Sequence, residues 1–254
     1  MPDLAVLPAR GTPADQALHG RPIVVATDGS DAARDAVRVA AALGAERGAV
    51  PHAVRAFDTT PVAIPVAVSS LLAAADELIG PEVHEPDVRA VRAELAALAP
   101  AAAGWPVRLG IGTPAAVVLR HAAALDAALV VMGLRRHGRV DRILRDETTL
   151  HVMRDAPCPV LGVRPALVAL PRCAVVGVDF GRPSARAARV ALGLLAPGGT
   201  LILAYVEPPG EERMPDEGGD DGMATVHALG VAAAFDRLVA DLAPAADVTV
   251  RRVR

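Results

Sequence analysis

One pattern occurs twice in this chain and limits the fold more than any single residue does. Residues 24–58 read VVATDGSDAARDAVRVAAALGAERGAVPHAVRAFD, and residues 174–209 read AVVGVDFGRPSARAARVALGLLAPGGTLILAYVEPP. Each runs strand, aspartate, small turn, amphipathic helix, strand, acid and prolines, with Asp28 and Asp179 in the same place. A strand, a crossover helix and a second strand form a βαβ unit, which implies parallel strands joined by right-handed connections. Self-similarity at long spacing marks two units built to one plan.

Within the first copy, residues 22–27 (PIVVAT) form a short apolar run without alternation, as expected of a strand buried on both faces. Ser30 is placed to cap the following helix. Ala33, Val37, Ala40, Ala41 and Gly44 fall on one stripe, with Arg34, Asp35 and Arg38 outside it. Gly48 supplies a helix stop, and residues 52–57 read as a second strand. After the proline-rich stretch 59–65, residues 82–98 carry helical spacing through Val88, Val91, Leu95 and Leu98. Strands at 105–111, 128–132 and 159–163 then alternate with helices at 114–125 and 148–154. Such alternation predicts a parallel sheet with helices on both faces.

The pattern restarts at Cys173, after a linker at 165–172. The expected division is an N-terminal tail (1–20), a first domain (21–164), the linker, and a partial second domain (173–254). Residues 208–222 are acidic and glycine-rich, so they read as a loop. A helix at 224–242 and a strand at 248–253 match the third element pair of the first copy, but nothing repeats residues 112–163. A half-sheet exposes an apolar edge and face, which native chains cover. The expectation is that the first domain, another chain or further sequence covers it.

Composition excludes several function classes. All 26 basic residues are arginine, so a Walker-type phosphate loop and Schiff-base chemistry both lack their lysine. A net charge of −3 argues against nucleic acid or an anionic membrane as the main partner. With 52% hydrophobic but only 2% aromatic residues, the core must be Ala, Val and Leu between closely spaced layers. Cys158 and Cys173 are too few for a disulfide framework or a metal site and read as free thiols. Pro2, Asp3 and Pro8 break any signal peptide, and no run reaches the roughly 20 apolar residues of a membrane span, so a soluble cytoplasmic protein is expected.

Together, IVVATDGSDAARDAVRVAAAL, IGTPAAVVLRHAAAL, VVMG and RDAPCPVLGVR resemble the universal stress protein family in its tandem form, over residues 21–164 and more loosely over 173–254. The resemblance implies five parallel strands in the order 3-2-1-4-5, flanked by helices, followed by a truncated second repeat. It implies a stress-response role and dimerisation through the fifth strand, residues 159–163. Many members bind ATP and some do not. In the binders, an aspartate ending the first strand lies near adenosine, which here is Asp28. Backbone at the end of the second strand reads adenine, which here is Ala56. A loop of form G-x2-G-x9-G-[ST] cradles ribose and phosphates, since glycine backbone and a helix N-terminus approach phosphate oxygens closely.

That loop meets this chain with one match and three departures. Gly133 takes the first glycine, but Arg136 takes the second, Asp146 the third and Glu147 the hydroxyl position; Gly138 offers a glycine out of register. Two carboxylates at a helix start repel phosphate: like charges at ~4 Å cost about 1 kcal/mol in water and about 4 at an effective dielectric near 20. Without a ligand, the same acids satisfy the free N–H groups of the helix start, worth roughly 0.3–1 kcal/mol each. The five arginines between Gly133 and Glu147 stand beside Asp141, Asp146 and Glu147 and read as a surface ion-pair network. Asp28 also reads as a turn cap without any ligand. In the second repeat Asp179 is matched but the phosphate loop is missing.

Seven histidines (19, 52, 84, 121, 137, 151, 227) show no metal-ligand spacing, and neither Ser30 nor Ser184 sits in a G-x-S-x-G elbow. The leading expectation is a non-catalytic protein with a degenerate nucleotide site and no cofactor, acting through unidentified protein partners as a homo-oligomer. The alternatives are an ATP binder using Asp28, the Ala56 backbone, Gly133 and Gly138, with arginines such as Arg136 at the phosphates, and a nucleotide-handling enzyme of related α/β type.

Overall fold

The computed structural model describes residues 18–57, 85–134, 147–167, 169–206 and 221–254. These form two compact units, Leu18–Leu170 and Pro171–Arg254.

The first unit runs β1 (Pro22–Ala26), α1 (Asp31–Arg47), β2 (Val50–Phe57), α2 (Glu85–Leu98), a 3-10 helix (Pro100–Gly104), β3 (Val107–Ile111), α3 (Pro114–Ala124), β4 (Leu129–Gly133), α4 (Glu147–Asp155) and β5 (Val160–Val163). Its sheet is parallel throughout in the order β3-β2-β1-β4-β5. Helices α1 and α2 touch each other on one face, while α3 and α4 touch each other on the opposite face. β1 is central, and Ile23, Val24 and Val25 are each 0% exposed. That two-sided burial explains why the strand shows no alternation.

Local chemistry sets the element ends. Ser30 Oγ accepts from the Ala33 N–H at 3.3 Å to start α1, and Gly48 closes it in the left-handed conformation. Thr113 does the same for α3, accepting from the Ala116 N–H at 3.4 Å with Pro114 at the first helical position. The buried face of α1 is broader than one stripe: Ala33, Ala36, Val37, Val39, Ala40 and Leu43 are buried, whereas Ala41 and Gly44 are half-buried. The helix meets β1, β2, β4 and β5 as well as α2, so it needs more than one apolar row. The third strand begins at Val107 rather than at Trp105, because residues 100–104 turn as a 3-10 helix whose end Trp105 caps.

The second unit runs β6 (Cys173–Gly177), α5 (Arg182–Leu194), β7 (Thr200–Ala204), α6 (Asp221–Leu242) and β8 (Thr249–Val253). It forms a three-stranded parallel sheet in the order β6-β7-β8. Its core joins Val176, Leu201 and Leu203 to Ala188 and Leu192 of α5 and to Val231, Phe235 and Leu238 of α6. Both helices therefore lie on the same face. Phe180, which holds the place of Gly29 one residue after the aspartate, keeps a left-handed backbone (φ 61°, against 78° at Gly29). Its ring packs against Tyr205 and Phe235 at centroid distances of 5.1 and 5.0 Å, which offsets the backbone strain.

Candidate functional site

A cavity of about 420 Å³ opens in the first unit where β1, β2 and β4 end. Ala26, Thr27, Asp28 and Ser30 form one wall, and Val54 and Ala56 of β2 another. Pro114 and Val118 of α3, Met132 and Gly133 of β4, and Thr148 and Thr149 of α4 complete it. In the order 3-2-1-4-5 the connections leave β1 and β4 to opposite faces, which opens a crevice at the carboxyl ends of those strands. The floor is apolar: Val54, Val118 and Met132 are buried. The polar groups gather at the rim.

The β1–α1 turn is tightly built. Asp28 is exposed, and its Oδ1 accepts from the Ser30 N–H at 2.9 Å. Thr27, only 6% exposed, accepts from the Gly29 N–H at 3.4 Å. Behind the turn, Arg55 Nε donates to the Thr27 carbonyl at 3.3 Å, and its Nη2 pairs with Glu94 Oε2 at 2.7 Å. With side chains 19% and 27% exposed, this pair is shielded from solvent well enough to hold a fixed geometry.

The sequence-derived site residues divide into two groups. Asp28, Ala56 and Gly133 line the cavity together. Arg136, Gly138 and Asp146 lie outside the described residues, and Glu147 opens α4. Gly133 has a packing role regardless of ligand: a Cβ there would stand 2.2 Å from the Ala32 carbonyl oxygen and 2.8 Å from the Ala33 nitrogen. β4 and the first turn of α1 can touch only because that side chain is missing.

Thr148 and Thr149 were missed in the sequence reading. Alignment to the phosphate-loop pattern puts Glu147 at the hydroxyl position, yet two hydroxyls follow it directly and both line the cavity. A count from the helix start, in place of the glycine pattern, finds them. Among the described residues no group of histidine, cysteine, aspartate or glutamate has the arrangement of a metal site. No described helix is long and apolar enough to cross a membrane.

The sequence profile of the Universal stress protein family matches residues 20–164, more than half of the chain. The chain belongs to the universal stress protein family. A universal stress protein of Thermus aquaticus, encoded in the QAH/OAS sulfhydrylase 3′ region, is 35% identical over 147 residues; the match spans 56% of this chain and 97% of that protein. A universal stress protein of Archaeoglobus fulgidus superposes with a TM-score of 0.54 at 17% identity, covering 93% of this chain and 78% of its own, a likeness of fold. A family member solved in complex with cAMP is 22% identical, with a TM-score of 0.40 over 57% of this chain and 98% of its own.

Proposed function

We propose that this universal stress protein is a non-catalytic binding protein whose first unit takes a ligand of nucleoside size, an adenosine or its monophosphate, with poor tolerance of a triphosphate. The cavity carries this reading. Its volume of about 420 Å³ lies at the small end of the ~300–1,000 Å³ usual for ligand sites, and its apolar floor and polar rim suit a flat base and a ribose. The β2 backbone at Ala56 lines the cavity, and in this reading it meets a base edge. Asp28 and the threonine hydroxyls offer partners to ribose oxygens. The phosphate side of the loop has Asp146 and Glu147 in sequence where the family pattern has glycine and a hydroxyl. Acids at those sequence positions disfavour a triphosphate by like-charge repulsion.

Among the described residues of the rim no nucleophile stands beside a base, and the expected role is ligand-gated contact with other proteins. Dimerisation through the open edge of β5 belongs to this reading. Titration of adenosine into the full chain by calorimetry should give a dissociation constant of about 10–100 μM, roughly −7 to −5.5 kcal/mol, weakened by Asp28→Ala. Absence of adenosine binding up to millimolar concentration overturns it.

A further inference from the structure

Each unit props the turn after its first strand from behind, and the two props are of opposite chemistry. In the first unit Ala26 pairs with Val54, and the Thr27 N–H donates to the Val54 carbonyl at 2.9 Å. In the second Gly177 pairs with Ala204, and the Val178 N–H donates to the Ala204 carbonyl at 2.8 Å. Register therefore matches Arg55 with Tyr205, as it matches Asp28 with Asp179 and Gly29 with Phe180. The Phe180 ring packs on Tyr205 and on Phe235 of α6, so the second turn rests on aromatic rings. The first turn rests on charge. Arg55 Nε donates to the Thr27 carbonyl at 3.3 Å, and its Nη2 meets Glu94 Oε2 of α2 at 2.7 Å. A Cβ on Gly29 would stand 3.4 Å from both Arg55 Nη2 and Glu94 Oε1, so the pair lies directly under the turn.

We infer that Arg55 and Glu94 are positioning residues of the ligand cavity, acting through Thr27 and Asp28; the inference rests on the nucleoside reading of that cavity. Strand alternation turns Val54 and Ala56 into the cavity and Arg55 to the other face, where α1 and α2 lie. Neither Arg55 nor Glu94 lines the cavity, so what they do for a ligand they do through the turn. The carbonyl that Arg55 holds belongs to the peptide joining Thr27 to Asp28, and both of those residues line the cavity. Fixing that peptide fixes the direction in which the Thr27 hydroxyl and the Asp28 carboxylate are presented. A guanidinium suits the task, because one edge of its planar fork takes the carbonyl while another is tied to a carboxylate. Folding alone does not ask for the ion pair. Taking two charges out of water costs free energy that an apolar contact of similar size avoids. Phe180, Tyr205 and Phe235 give that apolar solution for the same turn in the same chain. Ring packing supports a turn by contact, whereas Arg55 also sets the orientation of one peptide.

The test is calorimetric titration of adenosine into the full chain, with urea unfolding run on each variant. Arg55→Lys keeps a cation for Glu94 but gives up the fixed fork on the Thr27 carbonyl. Glu94→Gln keeps the fork and removes its counter-charge. Leu43→Val, buried towards the far end of α1, lowers stability without touching the turn. Arg55→Lys is expected to weaken adenosine binding about tenfold, the worth of one charge-assisted hydrogen bond. Glu94→Gln should weaken it less and in the same direction, and it decides the matter should Arg55→Lys not fold. Leu43→Val should unfold at lower urea and still bind adenosine as the wild-type chain does. A purely structural role would instead make affinity follow the urea midpoint across the three variants. Affinity of Arg55→Lys within about twofold of wild type overturns the inference, and so does an equal loss in Leu43→Val. Either result leaves the nucleoside reading standing. Absence of adenosine binding in the wild-type chain removes that reading and this inference with it.

Discussion

Arg55 holds the rim of the cavity from behind, and its loss should be felt at the rim before it is felt in the core. Arg55→Met removes the bond to the Thr27 carbonyl and leaves Glu94 partly buried without its cation. About 1–3 kcal/mol of stability should go, measured by urea unfolding, with faster hydrogen exchange at Gly29 and Ser30. Gly133→Ala places a carbon against backbone, which cannot rotate away. We expect a loss of about 3 kcal/mol or more and disrupted packing of α1 on β4. His52 gives a pH dependence. Burial, then the nearby Arg108, pushes its imidazole below the ordinary 6.5, and its Nδ1 is buried without a hydrogen bond. The unfolded chain takes up a proton near 6.5 that the native state resists. Stability should thus fall as pH drops through that region and level off below the native value, and His52→Gln should flatten the slope between pH 7 and 5. At this scale Ser30 and Gly48 were legible from residue type alone, since caps are local. Gly133 was legible as necessary but not for its reason: a glycine that admits a helix and one that admits a phosphate look the same in a sequence.

At the scale of elements, the strands and helices of both units were readable because apolar runs, capping residues and glycine stops agree with one another. Misses arose where a tertiary neighbour decides. The α1 face widened to Ala36, Val39 and Leu43 because several strands meet one helix, which a single-stripe reading cannot anticipate. Thr148 and Thr149 escaped notice because the motif was counted from its glycines, and here the loop before the helix departs from that pattern. Phe180, Tyr205 and Phe235 bring most of the chain's scarce aromatics to one spot in the second unit, a gathering that no local pattern shows. Phe235→Ala should cost about 3–5 kcal/mol in that unit, seen as an earlier transition in thermal unfolding, while the first unit keeps its own midpoint.

At the scale of the whole molecule, one order of strand and helix opens both units. The first unit has five strands and helices on both faces, and with them a crevice at the strand ends. Among its described residues the second has three strands, with two helices packed on one face. In it Asp179 accepts from the Gly181 N–H at 2.8 Å and from the Ser184 hydroxyl at 2.5 Å. The hydroxyl first, then the N–H, holds its carboxyl below the usual aspartate range. The shared order of elements was visible in the sequence because strand, aspartate, small turn and amphipathic helix recur in it. The central claim, a nucleoside-sized site without a triphosphate cradle, is tested most directly by titrating adenosine and Mg-ATP side by side into the full chain by calorimetry. The account predicts adenosine binding at about 10–100 μM and Mg-ATP no tighter than about 100 μM, roughly −5.5 kcal/mol. Micromolar Mg-ATP binding, tighter than adenosine, would contradict it.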